Sequence, residues 1–146
     1  MQVDFYHLTA TPLERALPRI AERVLESSAR LLVVSASDTQ RAGIDKALWT
    51  TTPDSFLPHA LAGGEGDDAQ PILIAADCSA PNAARHIALI DGEWRDEALT
   101  FDRAFHFFDE AAIEPARAAW RALADREGVE RRYWKQNDEG RWEQVA

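Results

Sequence analysis

The sequence predicts an α/β fold: a three-layer, Rossmann-like domain in which a mostly parallel sheet of about six strands lies between three main helices. Strand-like and helix-like segments alternate from the start of the chain, and strand segments such as 30–35 are continuous apolar runs. Runs of this kind are typical of strands that are buried on both faces, as in parallel sheets covered by helices. A chain of 146 residues fits one domain, residues 1–146.

The first third of the chain supplies a strand, a helix and a second strand. Residues 3–8 alternate between apolar and polar side chains, which is the pattern of a strand. A capping box then opens the first helix, with Thr11 as N-cap, Pro12 in the first turn and Glu14 as the third helical residue. The apolar side chains that follow recur at helical spacing, so one face of this helix covers the sheet. The apolar run 30–35 is the second strand.

A second helix begins at Ser37 or Asp38 and extends through Leu48, and this β-α-β-α start predicts right-handed parallel connections. The helix leads into an apolar corner, residues 48–59, where two prolines fix the backbone. The large apolar side chains of the corner lie too close together for one regular element to bury them all. We expect Leu48 and Leu57 to fill the core. The rest of the corner either does the same or docks a partner.

The second half of the chain supplies the remaining strands and the third helix, after an acidic, glycine-rich loop at 62–69. The third helix stops at Gly128, since glycine is common just beyond helix ends. Residues 142–145 either extend the last strand or pair with it, within a C-terminal extension at 137–146. The predicted elements are strands at 70–75, at 85–90 and in the second half of 101–109, a helix at 111–127, and a strand at 131–136.

Composition indicates where the protein is located and which kinds of partner it does not bind. The single cysteine, Cys78, excludes a disulfide framework, and the start of the chain lacks the basic and apolar regions of a signal peptide. No apolar run reaches the roughly 18 residues of a membrane span. We therefore predict a cytoplasmic protein without membrane contact. The formal net charge of −9 would repel DNA, so we expect no direct contact with nucleic acid.

The charge is unevenly distributed along the chain. Residues 114–135 carry six basic and four acidic side chains, a net charge of +2 that leaves −11 for the rest. In this region the third helix places Trp120 on its core-facing stripe, with Arg117 and Arg121 four residues apart beside it. The two arginines either form a solvated face, with pairs such as Arg121 and Asp125, or bind a peptide that ends in an apolar residue and a carboxylate.

The sequence contains no catalytic or cofactor motif that we recognise. The turn after the first strand lacks the glycine-rich Rossmann pattern, and the glycine-rich turn at 63–66 lacks the lysine of a P-loop. The four histidines are not spaced as metal ligands. We therefore expect no cofactor, no bound metal and no enzymatic activity. The alternative is an α/β enzyme of unknown substrate that uses Cys78 or a histidine.

Motifs spread nearly end to end resemble those of the chi subunit family of bacterial DNA polymerase III, a family of clamp-loader accessory proteins. The most specific motif is Ala-Leu-Trp at 47–49 followed by Ser-Phe-x-Pro-His at 55–59. Further matching segments lie at 5–8, 45–49, 53–59, 107–109, 116–121 and 133–136.

The resemblance implies a non-catalytic protein that has a nucleotide-binding type of fold without a nucleotide site. Members of the family bind the acidic C-terminal tail of single-stranded DNA-binding protein through basic and aromatic residues of the last long helix. The matching residues here are Arg117, Trp120 and Arg121, with Phe108 as an apolar wall. A family position that can carry a lysine aligns with Ile113.

The resemblance also implies a second surface. This surface binds the psi subunit, or a helicase that uses the same site, and so ties the family indirectly to the clamp-loader complex of the DNA polymerase III holoenzyme. The matching residues are Trp49, Phe56 and Pro58. We expect them on a different face of the protein from the arginine-bearing helix.

Overall fold

One eight-stranded sheet runs through the protein in the computed structural model, which describes residues 1–50 and 57–146. In this part of the chain three α-helices flank the sheet: α1 (Leu13–Glu26), α2 (Asp38–Thr50) and α3 (Ile113–Leu123). None of these described helices has the length and apolar character needed to cross a membrane. Short 3₁₀ helices lie at Asp67–Ala69, Asp96–Thr100 and Glu110–Ala112. The strands are β1 (Gln2–His7), β2 (Leu31–Val34), β3 (His59–Leu61), β4 (Ile72–Ala75), β5 (His86–Leu89), β6 (Arg103–Phe108), β7 (Glu130–Gln136) and β8 (Trp142–Gln144).

The strand order across the sheet is β3-β4-β2-β5-β6-β1-β7-β8, and every neighbouring pair is parallel except β7 and β8. The predicted fold class, a mostly parallel sheet between helices, is confirmed. The described part of the chain has two strands more than the six predicted. β3 has three residues, too few for a periodic pattern to be recognised, and β8 pairs antiparallel with β7 rather than extending it.

The sheet separates two hydrophobic cores, because successive side chains on each strand point to opposite faces. On β1, Tyr6 packs in the core beneath α1 and α2, whereas Phe5 packs in the core beneath α3. Leu48 and Leu57 are 2% and 3% exposed and belong to the first core, which confirms the role predicted for them. A site on α3 and a site on α1 therefore lie on opposite sides of the protein.

The capping box predicted for α1, with Thr11 as N-cap, is wrong. The helix begins at Leu13 with Pro12 as its N-cap, and no side chain caps it there. The backbone N–H groups of residues 9–11 instead donate to Oε1 of Gln136 at 3.3, 3.1 and 3.0 Å. In dinucleotide-binding folds the N–H groups of this turn hold phosphate. Here the amide oxygen of a β7 side chain already occupies those donors.

The third helix is shorter than the predicted range of 111–127. The Asp109 carboxylate accepts a hydrogen bond from the Ala111 N–H at 3.0 Å and opens the 3₁₀ turn that precedes the helix. The α-helix itself ends at Leu123, and a non-helical turn leads to Gly128, whose φ of 77° suits glycine. The result is a helix of three turns with Arg117 near its middle.

Candidate functional site

A groove of about 430 Å³ lies between α3 and β7 on the α3 face of the sheet, and we call it the α3–β7 groove. Ile113, Arg117 and Trp120 line it from α3, and Tyr133 and Lys135 line it from β7. The side chains from β7 share this face because they are two residues apart on one strand. The remaining lining residues are His7, Glu110, Val145 and Ala146.

The indole of Trp120 is held in place by contacts on several sides. Its ring meets the rings of Phe5 and Tyr133 edge to face, with centroid distances of 5.3 and 5.6 Å. The guanidinium of Arg131 lies 3.9 Å from the ring centroid and also donates to the Trp120 carbonyl at 2.7 Å. A half-buried aromatic surface with so many neighbours is a rigid platform against which an apolar side chain can pack.

The charged side chains of the groove favour an anion. Arg117 donates to Glu114 at 3.1 Å, and both side chains are more than half exposed. Such a surface pair contributes about 0–1 kcal/mol, so Arg117 can exchange this partner for a ligand carboxylate at little cost. Lys135 is exposed, and no ion pair involves it within the described residues. The lining therefore has two cationic side chains against one anionic side chain, Glu110.

Glu110 is also the side chain that would oppose an acidic ligand. Its Oε1 lies 2.9 Å from Nε2 of His7, without the geometry of a hydrogen bond. The carboxylate is 73% exposed, whereas His7 is buried at 2%. Because the carboxylate is largely exposed, solvent and salt screen its repulsion of an anion bound at Arg117.

The four residues predicted for tail binding take different positions. Arg117 and Trp120 lie together in the groove lining. Phe108 is 2% exposed, lies outside the lining and stacks on the ring of the lining residue His7 at 5.1 Å, so it supports His7 from the core rather than forming a wall. Arg121 is exposed and outside the lining, because it lies 100° around the helix from Trp120.

Several groove residues were not predicted as site residues from the sequence, among them Tyr133, Lys135 and Val145. Tyr133 and Lys135 lie two residues apart in the predicted last strand, so their side chains point to the same face of the sheet. Whether that face is the one covered by α3 depends on the pairing of β7 with β1. Val145 reaches the groove because its N–H donates to the Tyr133 carbonyl at 2.8 Å. Pairing of residues 142–145 with the last strand was one of the predicted alternatives, but nothing in the sequence indicates that Val145 reaches this groove.

The second predicted surface is described in part. Trp49 is 51% exposed at the end of α2, and its ring lies 4.5 Å from the ring of His59. His59 is itself buried, with Nδ1 2.6 Å from the Leu57 carbonyl oxygen. Pro58, next to it, is partly exposed. Phe56, the third residue predicted for this surface, lies outside the described residues.

Two of the groups considered for catalysis, Cys78 and His106, have environments that do not activate them. Burial raises the pKa of Cys78, which keeps the thiol protonated near pH 7 and so a poor nucleophile. His106 is fully buried among aromatic rings, and burial lowers its pKa to about 4. In residues 1–50 and 57–146, no cluster of three or more His, Cys, Asp or Glu side chains is placed to hold a metal ion.

Sequence comparisons give a consistent result. The model of a family described as "DNA polymerase III chi subunit, HolC" matches residues 1–130. DNA polymerase III subunit chi of Escherichia coli (strain K12) is 26% identical over 113 residues, which cover 75% of this chain and 77% of that protein. A probable DNA polymerase III subunit chi of Rickettsia prowazekii (strain Madrid E) is 26% identical over 89 residues, 61% of this chain and 54% of that protein. The family match includes α3 and stops at the first residue of β7.

Proposed function

The chain belongs to the DNA polymerase III chi subunit family and has its role in DNA replication, and from this premise we propose that it is a non-catalytic adaptor in the replisome. One surface binds the acidic C-terminal tail of single-stranded DNA-binding protein. A second surface binds the psi subunit, or a helicase that competes for the same site, and so links the tail to the clamp loader. The adaptor works in the cytoplasm and makes no direct contact with nucleic acid.

One observation supports the proposed tail site above all: Arg117, Lys135 and the indole of Trp120 line the same groove, and Arg131 holds the indole in place. A peptide that ends in an apolar residue carries a terminal carboxylate and an apolar side chain on the same residue. The carboxylate binds Arg117, and the apolar side chain packs on Trp120 between Ile113 and Tyr133. Phe108 contributes by stacking on the ring of His7, which lines the groove.

Charge also determines how the tail approaches. The chain outside residues 114–135 carries −11 and repels an acidic segment, whereas this region carries +2. Arg121, on the exposed side of α3, adds to the attraction without touching the terminal residue. The acidic residues that precede the terminal residue of the tail are attracted to this basic region. The complex therefore weakens as salt screens these charges.

An aspartate-rich peptide that ends in phenylalanine tests the proposal directly. We expect the labelled peptide with a free terminal carboxylate to bind at least about tenfold tighter than the same peptide amidated at its C-terminus, because a charge-assisted contact contributes about 1.5–3 kcal/mol. Fluorescence anisotropy measures both affinities. Equal affinities would contradict a carboxylate bound at Arg117, and an unbound free-acid peptide would contradict the proposed function.

Trp49, Phe56 and Pro58 form the proposed second surface. About half of the Trp49 side chain is exposed, so Trp49→Ala should lower the melting temperature less than truncation of a fully buried side chain does, while it removes psi binding. Phe56→Ala, predicted from the sequence, should have the same two effects. Both variants should bind the tail peptide normally, because the tail site lies on α3. Co-purification with psi from the same organism measures psi binding, and fluorescence anisotropy with the peptide measures tail binding.

Leu48→Ala is the matched control for this surface, because Leu48 is the residue before Trp49 but is buried at 2%. A buried leucine replaced by alanine costs about 2–5 kcal/mol of stability, so this variant should unfold at lower temperature. If Trp49→Ala or Phe56→Ala unfolds the protein as Leu48→Ala does, these side chains belong to the core and the proposed surface is wrong.

A further inference from the structure

A second cavity, of about 230 Å³, lies on the opposite face of the sheet from α3, between the C-terminal half of α1 and the strands β1, β5 and β6. We call it the α1 cavity. Within the described chain, Arg23 and Arg103 are the lining residues that carry a permanent charge. Its apolar walls include Ile20 and Phe105, and its neutral polar groups include Tyr6 and His86.

The two arginines leave about one uncompensated positive charge at this cavity. Arg103 is bound to Asp4, a fully buried carboxylate, at 2.7 Å, so its charge is largely neutralised. Arg23 is exposed, and no ion pair involves it within the described residues. In a chain of net charge −9, this guanidinium makes the electrostatic potential at the cavity more positive and favours an anion there.

The other polar groups add no charge to the cavity. Burial raises the pKa of Tyr6 to about 12, so the phenol stays protonated and can donate a hydrogen bond. Burial, and then the charge of Arg103, lower the pKa of His86, so its ring is neutral near pH 7. The Phe105 ring lies under the Arg103 guanidinium, 4.7 Å from it, and presents an apolar surface next to the charged groups.

We propose that the α1 cavity binds a small organic carboxylate, with its carboxylate at Arg23 and Arg103 and a short apolar body against Phe105 and Ile20. A single negative charge matches the single uncompensated positive charge. A phosphate monoester brings a second negative charge that nothing in the lining neutralises. The site is independent of the proposed tail site, which lies on the other face of the sheet.

Benzoate is a suitable probe, because it combines one carboxylate with a compact apolar ring. We expect it to bind the full chain in isothermal titration calorimetry and to shift the ¹H–¹⁵N resonances of residues around Arg23 and Arg103. Arg23→Gln should weaken binding about tenfold or more, since it removes a charge-assisted contact. Arg19→Gln is the matched control: Arg19 is exposed on the same helix, one turn earlier, and does not line the cavity. It should leave the affinity unchanged.

Two further ligands test whether binding needs one negative charge, and one variant tests whether benzoate binds in the other groove instead. Benzyl alcohol, which has the ring without the charge, should bind at least about tenfold more weakly than benzoate, and phenyl phosphate should not bind more tightly. Benzoate can also enter the α3–β7 groove, so Arg117→Gln is titrated in parallel and should not change the shifts near Arg23. The proposal is wrong if benzoate causes no shift near Arg23, if Arg23→Gln binds it normally, or if either other ligand binds better. None of these results bears on tail binding, which the peptide experiment measures separately.

Discussion

Arg117→Glu is expected to lower the affinity for the acidic tail peptide by at least about 100-fold, which corresponds to about 2.7 kcal/mol. The substitution removes the guanidinium that binds the terminal carboxylate, a loss of about 1.5–3 kcal/mol. It also places a third carboxylate beside Glu110 and Glu114, so an acidic ligand meets repulsion where it met attraction. The side chain of Arg117 is 54% exposed, so the fold should be retained. Fluorescence anisotropy measures the affinity, and circular dichroism melting checks the fold.

Arg121→Glu provides the matched control for this change. It makes the same change in net charge on the same helix, four residues later, at a position outside the groove lining. We expect a loss of a few-fold that disappears at high salt, because Arg121 acts through long-range attraction, which screening removes. The loss in Arg117→Glu should persist at high salt. If both variants lose affinity equally at every salt concentration, overall charge explains binding and the groove is not the site.

Much of the fold could be predicted because its determinants are local. Continuous apolar runs indicate strands buried on both faces, and the run at β2 is an interior strand of the sheet. The errors have tertiary causes. The turn before α1 has a capping-box pattern, but its N–H groups bind Gln136, a residue more than 120 positions away. β3 is a three-residue strand that exists because β4 pairs with it.

Only the α3 side of the candidate site could be predicted from the sequence, and the β7 side could not. The positions of Arg117 and Trp120 follow from helical periodicity, a property of α3 alone. The opposite wall depends on the parallel pairing of β1 with β7, in which His7 is the partner of Lys135. A pairing between strands more than 120 residues apart cannot be inferred from either segment, so the sequence showed Lys135 only as one of the basic residues of 114–135 and not as part of the site. The same pairing makes β1 an interior strand. A polar side chain on this strand can therefore be buried and does not indicate a face exposed to solvent.

Asp4→Ala is expected to lower the free energy of unfolding by about 3 kcal/mol, the lower end of the range for breaking a buried ion pair. The alternating pattern of residues 3–8 is typical of a strand with one solvated face, yet Asp4 is 0% exposed. Its carboxylate accepts hydrogen bonds from Arg103 at 2.8 Å, from Trp134 at 3.1 Å and from Gln2 at 3.1 Å. Alanine would leave these donors without their acceptor. Urea denaturation monitored by tryptophan fluorescence gives the free energy.

Asp102→Ala is the control that isolates burial as the cause. Asp102 pairs with Arg85 at 2.6 Å, so it forms the same kind of carboxylate–guanidinium ion pair as Asp4 with Arg103. In this pair, however, both side chains are more than half exposed. Exposed pairs contribute little to stability, so this variant should be nearly as stable as the unmodified chain. Similar losses in the two variants would mean that the Asp4 network contributes no more than a surface ion pair. A large loss in Asp4→Ala alone would show that three strands of the sheet, β1, β6 and β7, are joined through one buried carboxylate.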